Sequence, residues 1–148
     1  MKIVVGSDHC GFELKNKMLP FLRENNEVID CGCYSTDMAD FPHIAQQICE
    51  AILNNEAERG IMFCSTGIGA AIACNKVKGI RAGVCHDIYS AHQCVEHDNV
   101  QVLAIGGDIV GYFVAKHLVE AFLNANFSCE EQFVKRVKML DKMEEQGI

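Results

Sequence analysis

A thiol, two hydroxyls and two glycines occupy six consecutive positions, Cys64 to Gly69, in "CSTGIG". The apolar run "GIMF" precedes this segment, and a run of small apolar residues follows it. A cysteine where a strand ends and a glycine turn opens a helix lies at the positive end of the helix dipole, which lowers the thiol pKa. We therefore predict that Cys64 is a reactive thiolate. Thr66 and the backbone N–H groups of Gly67–Gly69 are suited to stabilise an oxyanion beside it.

Three other interpretations of this segment stay open. Cys64 is one of nine cysteines, and most of these are expected to be reduced, buried and inert. The letters "GIGAAI" begin like a dinucleotide-binding loop with Asp87 about 20 residues downstream, but Ile72 stands where that motif needs Gly or Ala. A redox role would need a close pair of thiols, and Cys31 and Cys33 are the one such pair.

Length and composition restrict the class of protein. A chain of 148 residues is long enough for a substantial core, so we predict one domain over residues 1–148. The formal net charge of −7 argues against a nucleic-acid partner. The chain contains no apolar span of about 18 residues, and its first residues turn polar too early for a signal peptide. We predict a cytoplasmic protein with no membrane association.

The distribution of apolar residues predicts the fold. Five apolar, β-branched runs read as parallel strands covered on both faces, at residues 2–6, 27–32, 60–64, 80–85 and 100–107. Helical periodicity occupies the segments between them, for example 41–55, where Pro42 fits the first turn and Asp40 the cap. We predict an α/β three-layer sandwich, Rossmann-like, with a five-stranded parallel sheet flanked by helices.

The end of the chain predicts one more amphipathic helix, with one apolar face of four residues: Phe133, Val137, Leu140 and Met143. Right-handed crossovers place every strand-to-helix loop at the carboxyl edge of the sheet, where ligands bind. That edge should carry four loops: Ser7-Asp8-His9, Cys64 to Gly69, His86-Asp87 and Gly106-Gly107-Asp108. Asp8 and His9 are therefore candidates for substrate contact. No metal is predicted, because the histidine spacings match no standard metal motif.

Five segments resemble one family in order and spacing: "GSDHCGFELK", "DFPH", "CSTGIGAAIACNK", "GIRAGVC" and "EHDNVQVLAIGG". The chain resembles the type B ribose-5-phosphate isomerases, a family that also includes isomerases of allose 6-phosphate and galactose 6-phosphate. The resemblance implies an aldose–ketose isomerase that interconverts ribose 5-phosphate and ribulose 5-phosphate through an enediolate, without metal or organic cofactor. It also implies homodimers or dimers of dimers, with the active site at the subunit boundary.

The resemblance assigns a role to each matching residue. Cys64 would be the base that moves the proton between C1 and C2, and His97 would open the sugar ring. The enediolate oxygen would be stabilised by the loop that contains Thr66, whose other members are Ser65, Gly67, Ile68 and Gly69. Asp8 would contact the sugar hydroxyls, and His9 and Arg136 would hold the phosphate. Asp98 follows His97 and belongs to the implied substrate site.

Four departures from the family pattern affect the predicted substrate. Phe41 stands where a Tyr is usual, Asp98 where an Asn is usual, and Asp108 where an Arg often occurs. "Glu-Gln-Phe" at 131–133 replaces "Gly-Arg-His", which leaves Arg136 as the sole arginine of the last helix. The changes remove cations and add carboxylates. A six-carbon sugar phosphate and a catalytically silent sugar-phosphate binding module therefore remain alternatives.

Overall fold

The structure, a computed structural model, describes residues 1–147, and strands and helices alternate in the predicted order. The strands are β1 Lys2–Ser7, β2 Glu27–Asp30, β3 Arg59–Cys64, β4 Ala82–Val84 and β5 Val102–Gly106. The helices are α1 Phe12–Asn25, α2 Phe41–Leu53, α3 Ile68–Asn75, α4 Ile88–Asp98, α5 Tyr112–Asn124 and α6 Glu131–Gln146. Ile148, the last residue of the predicted domain, lies outside the described residues.

The strands form one parallel sheet in the order β2-β1-β3-β5-β4. Each strand lies within a predicted apolar run or extends one residue beyond it, so the predicted fold class is confirmed. Because β1 and β3 are neighbours, Ser7 pairs with Phe63, and the residues that follow them emerge side by side. Cys64 pairs with Gly106 in the same way, which brings a third loop to this edge.

Each face of the sheet has its own apolar core. Successive side chains of a strand point to opposite faces, and β1 follows this rule. Ile3 and Val5 pack with residues of α1, α4 and α5, whereas Val4 packs with residues of α2 and α3. Both faces are therefore covered, which explains why the strands are apolar almost without interruption. Among residues 1–147, no helix combines the length and apolar character that a membrane span requires.

Two details of the helices differ from the sequence predictions. Pro42 lies in the first turn of α2 as expected, but the Asp40 side chain makes no capping hydrogen bond; its carbonyl accepts one from His43 N at 3.1 Å instead. In α6 Val137 is buried, whereas Leu140 and Met143 remain 44% and 49% exposed. The predicted apolar face of α6 is thus only partly covered within this chain.

The turn between β3 and α3 depends on a glycine. Gly67 precedes the helix with φ +79°, a left-handed conformation that residues with a Cβ rarely adopt. A Cβ at this position would lie 3.2 Å from the carbonyl carbon of Ala104 on β5. The neighbouring loop is equally close, because Gly107 N donates to Cys64 O at 2.7 Å and Asp108 N donates to Ser65 O at 3.0 Å. The cysteine loop therefore has little freedom to move.

We expect Gly67→Ala to destabilise the fold by about 1–3 kcal/mol, because it combines left-handed strain with a contact against β5. Urea unfolding at equilibrium measures this change. Gly111→Ala is the matched control, since Gly111 has φ −85° and a Cβ there would meet nothing within 4 Å. Equal unfolding midpoints for the two variants would contradict the assigned role of Gly67.

Candidate active site

A buried thiol and a buried carboxylate meet at the carboxyl edge of the sheet. Cys64 ends β3 and is 6% exposed, and Asp8 follows β1 and is 4% exposed. Cys64 Sγ donates a hydrogen bond to Asp8 Oδ2 at 3.0 Å. The other oxygen of Asp8 accepts from Gly11 N, also at 3.0 Å, at the start of α1. The backbone therefore fixes the carboxylate, and the carboxylate fixes the thiol.

The pKa of Cys64 is raised to about 11, so the predicted lowering is wrong for the unliganded chain. Burial of the thiol is the largest cause, followed by its hydrogen bond to Asp8 and by the negative charge of Asp8. Backbone hydrogen bonds from Ser65 and Gly67 favour the thiolate but do not offset these effects. Cys64 is thus a protonated thiol at neutral pH, with a carboxylate ready to accept its proton.

The rest of the predicted loop surrounds this pair. Ser65 Oγ donates to Asp108 Oδ2 at 2.6 Å, which joins the cysteine loop to the loop after β5. Thr66 Oγ1 accepts from Ile68 N at 3.3 Å, and its own proton stays available for an oxygen of a substrate. The first turn of α3 leaves backbone N–H groups without helical partners, as every helix start does. These donors are suited to a developing oxyanion beside Cys64.

His9 and Phe41 line the same edge. His9 Nδ1 accepts from Ala39 N at 3.2 Å and lies 3.4 Å from Ala39 O, so the backbone before α2 holds the ring. The Phe41 ring lies against the glycine turn, because a Cβ on Gly69 would be 3.0 Å from Phe41 Cζ. His86, which the sequence analysis left without a role, accepts from Gly106 N at 2.9 Å and supports the end of β5.

His97 and Asp98 lie at the opposite edge of the sheet. They end α4, and Arg81, just before β4, donates through Nε to Asp98 O at 3.0 Å. The amino ends of the strands lie here. The register of β3 and β5 separates this edge from Cys64 by at least four residues of strand, roughly 13 Å. One chain therefore does not bring His97 to Cys64.

Arg136 lies on the same side of the molecule as His97. The ring of Phe133 stacks on His97 with centroids 4.0 Å apart, and the Arg136 guanidinium lies 5.8 Å from the Phe133 centroid. Phe133 thus connects the two predicted site residues, although the sequence analysis treated it as a member of an apolar face and as a departure from the family. Lys135 and Lys138 are exposed next to Arg136 and add positive charge to α6.

Lys15 is a further residue that the sequence analysis missed. It is wholly buried, and Nζ donates to Asp30 Oδ1 at 2.8 Å and to Cys33 O at 2.7 Å. The available signal was its position in α1, because Lys15 shares a helical stripe with Leu19 and Leu22, both buried. A lysine in an apolar stripe is rarely buried without a partner, so the pattern marked an ion pair.

The cysteines give the redox interpretation little support. All nine are free thiols. Cys31 Sγ donates to Val5 O at 3.4 Å and Cys33 Sγ donates to Ser35 O at 3.2 Å, so the two thiols engage different partners. Burial and the charge of Asp30 raise the pKa of Cys31 to about 11. Cys31 is therefore not the low-pKa thiol that fast oxidation needs.

One group of side chains has the composition of a metal site. Ligand atoms of Asp8, His9 and Cys10 lie within 4.8 Å of one another. However, both Asp8 oxygens already accept hydrogen bonds, and His9 Nδ1 is bound to Ala39. We assign no metal to these residues.

The chain is a protein of the parallel α/β class with a buried thiol and carboxylate at the carboxyl edge of its sheet. The sequence profile of the Ribose/Galactose Isomerase family matches residues 3–140, and the chain belongs to this family. It is an aldose–ketose isomerase by class, as the resemblance predicted.

Three similar proteins illustrate the relationship. Ribose-5-phosphate isomerase B of Escherichia coli K12 is 44% identical over 127 residues, which cover 85% of each chain. The solved structure of Clostridium thermocellum ribose-5-phosphate isomerase B has a TM-score of 0.96 and 38% identity and covers 100% of both chains. D-erythrulose-4-phosphate isomerase 2 of Mycolicibacterium smegmatis is 37% identical over 141 residues, 93% of each chain.

We expect Asp8→Asn to lower the pKa of the Cys64 thiol, because it removes the negative charge that opposes a thiolate. The pH dependence of iodoacetamide alkylation, followed by mass spectrometry of the peptide that contains Cys64, measures this pKa. Asp108→Asn is the control, since it removes a nearby carboxylate that bonds Ser65 rather than Cys64. An unchanged alkylation midpoint in Asp8→Asn would contradict the assigned coupling.

Proposed function

We propose that this protein interconverts ribose 5-phosphate and ribulose 5-phosphate, with Cys64 as the base. The observation that carries the proposal is the buried Cys64–Asp8 hydrogen bond of 3.0 Å at the start of α3. The similar proteins from E. coli and C. thermocellum, both called ribose-5-phosphate isomerase B, support the choice of substrate. Residues 1–148 as one domain and a cytoplasmic location remain part of the proposal, the former supported by the match over residues 3–140.

The hydrogen-bonded pair provides a route to the base. Transfer of the thiol proton from Cys64 to Asp8 gives a thiolate and a carboxylic acid, so the net charge of the pair is conserved. Backbone N–H groups of Ser65 and Gly67 then stabilise the sulfur anion. The thiolate removes the proton from C2 of the open-chain aldose, and the electron pair moves onto the C1 carbonyl oxygen. The proton of the O2 hydroxyl moves to O1, the proton on sulfur returns to C1, and the electron pair left on O2 forms the new carbonyl. Asp8 then returns its proton to Cys64, which restores the starting state of the pair.

The loop supplies the stabilisation that this step needs. A proton α to a carbonyl is weakly acidic, so the negative oxygen of the enediolate must be stabilised as it forms. The Thr66 hydroxyl and the N–H groups at the start of α3 are donors within the same loop as the base. The positive end of the eight-residue helix α3 adds to this effect.

A second copy of the chain would complete the site. His97, Asp98 and Arg136 lie at the amino edge of one subunit, and a two-fold axis can bring that edge against the carboxyl edge of another. Each dimer would then contain two sites, each with Cys64 from one subunit and His97 from its partner. Exposed apolar side chains beside β4 support such a contact: Ile68, Ile72, Val84, Ile88 and Tyr89. The proposal includes a homodimer or a dimer of dimers.

The charges of the two half-sites are complementary. Asp8 and Asp108 make the carboxyl edge acidic, and the imidazole of His9 is held beside them. The helix α6 carries the cationic groups Lys135, Arg136 and Lys138. A phosphate is therefore best bound between His9 of one subunit and α6 of the other, with the sugar carbonyl directed at Cys64.

The first test is turnover of a panel of phosphorylated sugars. We expect the highest kcat/KM for ribose 5-phosphate against allose 6-phosphate, galactose 6-phosphate and D-erythrulose 4-phosphate, the last included because of the M. smegmatis relative.

Cys64→Ala should lower kcat by about 10²–10⁴-fold while circular dichroism stays unchanged, as loss of a general base does. Cys129→Ala, which removes an exposed cysteine, is the control. Saturable binding without turnover of any sugar would favour the silent binding module instead.

The second test is complementation between subunits. Cys64→Ala and His97→Ala homodimers should each be strongly impaired. After unfolding and refolding of an equimolar mixture, half of the dimers are heterodimers, and each has one site with both residues intact. We therefore expect about a quarter of wild-type activity, from random pairing of two-fold dimers. A mixture no more active than the mean of the two variants would show that both residues act within one subunit.

A further inference from the structure

Lys15 is fully buried, and no step of the proposed reaction uses it. A buried ammonium group is costly unless it is paired and hydrogen-bonded. Lys15 meets this requirement through the carboxylate of Asp30 and the carbonyl of Cys33, at 2.8 and 2.7 Å. The rings of Phe12 and Tyr34, with centroids at 5.9 and 5.3 Å from Nζ, add cation–π contacts. The Lys15 side chain is therefore held in one conformation.

Both hydrogen-bond partners of Lys15 lie at the start of one segment. Asp30 ends β2, and Cys33 belongs to residues 31–40, which we call the β2–α2 loop. Asp30 Oδ1 also accepts from Gly32 N at 3.1 Å, so the carboxylate holds the first turn of this loop. Gly32 O accepts from Ser7 N, and Ser7 O accepts from Cys33 N, both at 2.6 Å. The start of the loop therefore lies along the residue that immediately precedes Asp8.

The other end of the β2–α2 loop reaches the substrate side. Ala39 holds the ring of His9 through its backbone, and α2 begins directly afterwards with Phe41 against the glycine turn. Between its two ends the loop is exposed, and its internal contacts are local, such as Ser35 Oγ to Asp37 Oδ2 at 3.1 Å. Ala39 is therefore positioned from two sides, by the anchor at Cys33 and by the start of α2.

We propose that Lys15 is a positioning residue of the sugar-phosphate site: it fixes the β2–α2 loop, and through Ala39 the loop orients His9. An apolar residue would fill the same space but would leave the Cys33 carbonyl without its donor. The link from Lys15 to His9 is geometric, whereas its effect on substrate binding rests on the proposed function. Because His9 contacts phosphate and not the reacting carbons, loss of Lys15 should act on KM more than on kcat.

The experiment compares Lys15→Met, the double variant Lys15→Met/Asp30→Asn, and Arg59→Met. The double variant removes both charges, so its fold carries no unpaired buried ion. Arg59 is the matched control, because its guanidinium donates to Phe122 O and Ala125 O from the opposite edge of the sheet. We expect the double variant to recover thermal stability relative to Lys15→Met but to keep a KM about tenfold or more above wild type, as loss of a hydrogen bond from a charged donor predicts. Arg59→Met should lose stability with little change in KM.

The second readout is independent of turnover. In ¹⁵N-histidine NMR spectra, with His9 assigned through a His9→Gln variant, the Nδ1 shift reports its hydrogen bond to Ala39. We expect this signal to change in the double variant and to stay at its wild-type position in Arg59→Met. An unchanged His9 signal in the double variant would overturn the proposal, and so would a wild-type KM. If wild type itself turns over no sugar phosphate, the proposed function fails, and the His9 signal alone then decides the role of Lys15.

Discussion

The hydrogen bond between the Cys64 thiol and the Asp8 carboxylate is the contact on which the site depends. It exists because β1 and β3 are adjacent and parallel, so two loops that are 56 residues apart in the sequence leave the sheet together. After burial of the thiol, it is also the main reason that Cys64 stays protonated. Burial and the Asp8 carboxylate together raise the thiol pKa from 9.0 to about 11, which corresponds to about 3 kcal/mol against the thiolate. A helix terminus contributes roughly 0.3–2 kcal/mol in the other direction.

The difference between tertiary effects and the local effect of a helix terminus explains which features of the site the sequence could predict. The strands, the loops at the carboxyl edge and the helix after Gly67 follow from local patterns of apolar residues and glycines, and the structure confirms them. The pKa of Cys64 depends on burial and on a carboxylate from another loop, neither of which is visible near Cys64 in the sequence. The dipole of α3 does favour the Cys64 thiolate, as the sequence predicted. Burial and the Asp8 carboxylate oppose the thiolate more strongly, so the net pKa rises.

Lys15 and Phe133 were missed for a related reason. Both occur at helical positions that read simply as a polar or an apolar side chain, and their roles depend on what faces them. Lys15, in α1, faces Asp30 at the end of β2 and Cys33 in the loop after it. Phe133, in α6, faces His97 at the end of α4. The periodicity of a helix predicts which residues turn inward, but not which partner they meet there. A family resemblance did not help, because it assigns roles to motif positions only.

Asp108 shows how a departure from the family pattern changes the electrostatics of the site. The carboxylate occupies the position where the resemblance expected an arginine, and it accepts a hydrogen bond from the Ser65 hydroxyl at 2.6 Å, directly after Cys64. With Asp8 it makes the edge around Cys64 repulsive to a phosphate dianion, since like charges disfavour each other. In the proposed reaction, a sugar phosphate would then be held with its carbonyl end at Cys64 and its phosphate turned away from Asp108. The acidic edge would thus favour one of the two orientations of the proposed substrate, although it contributes no direct attraction to it.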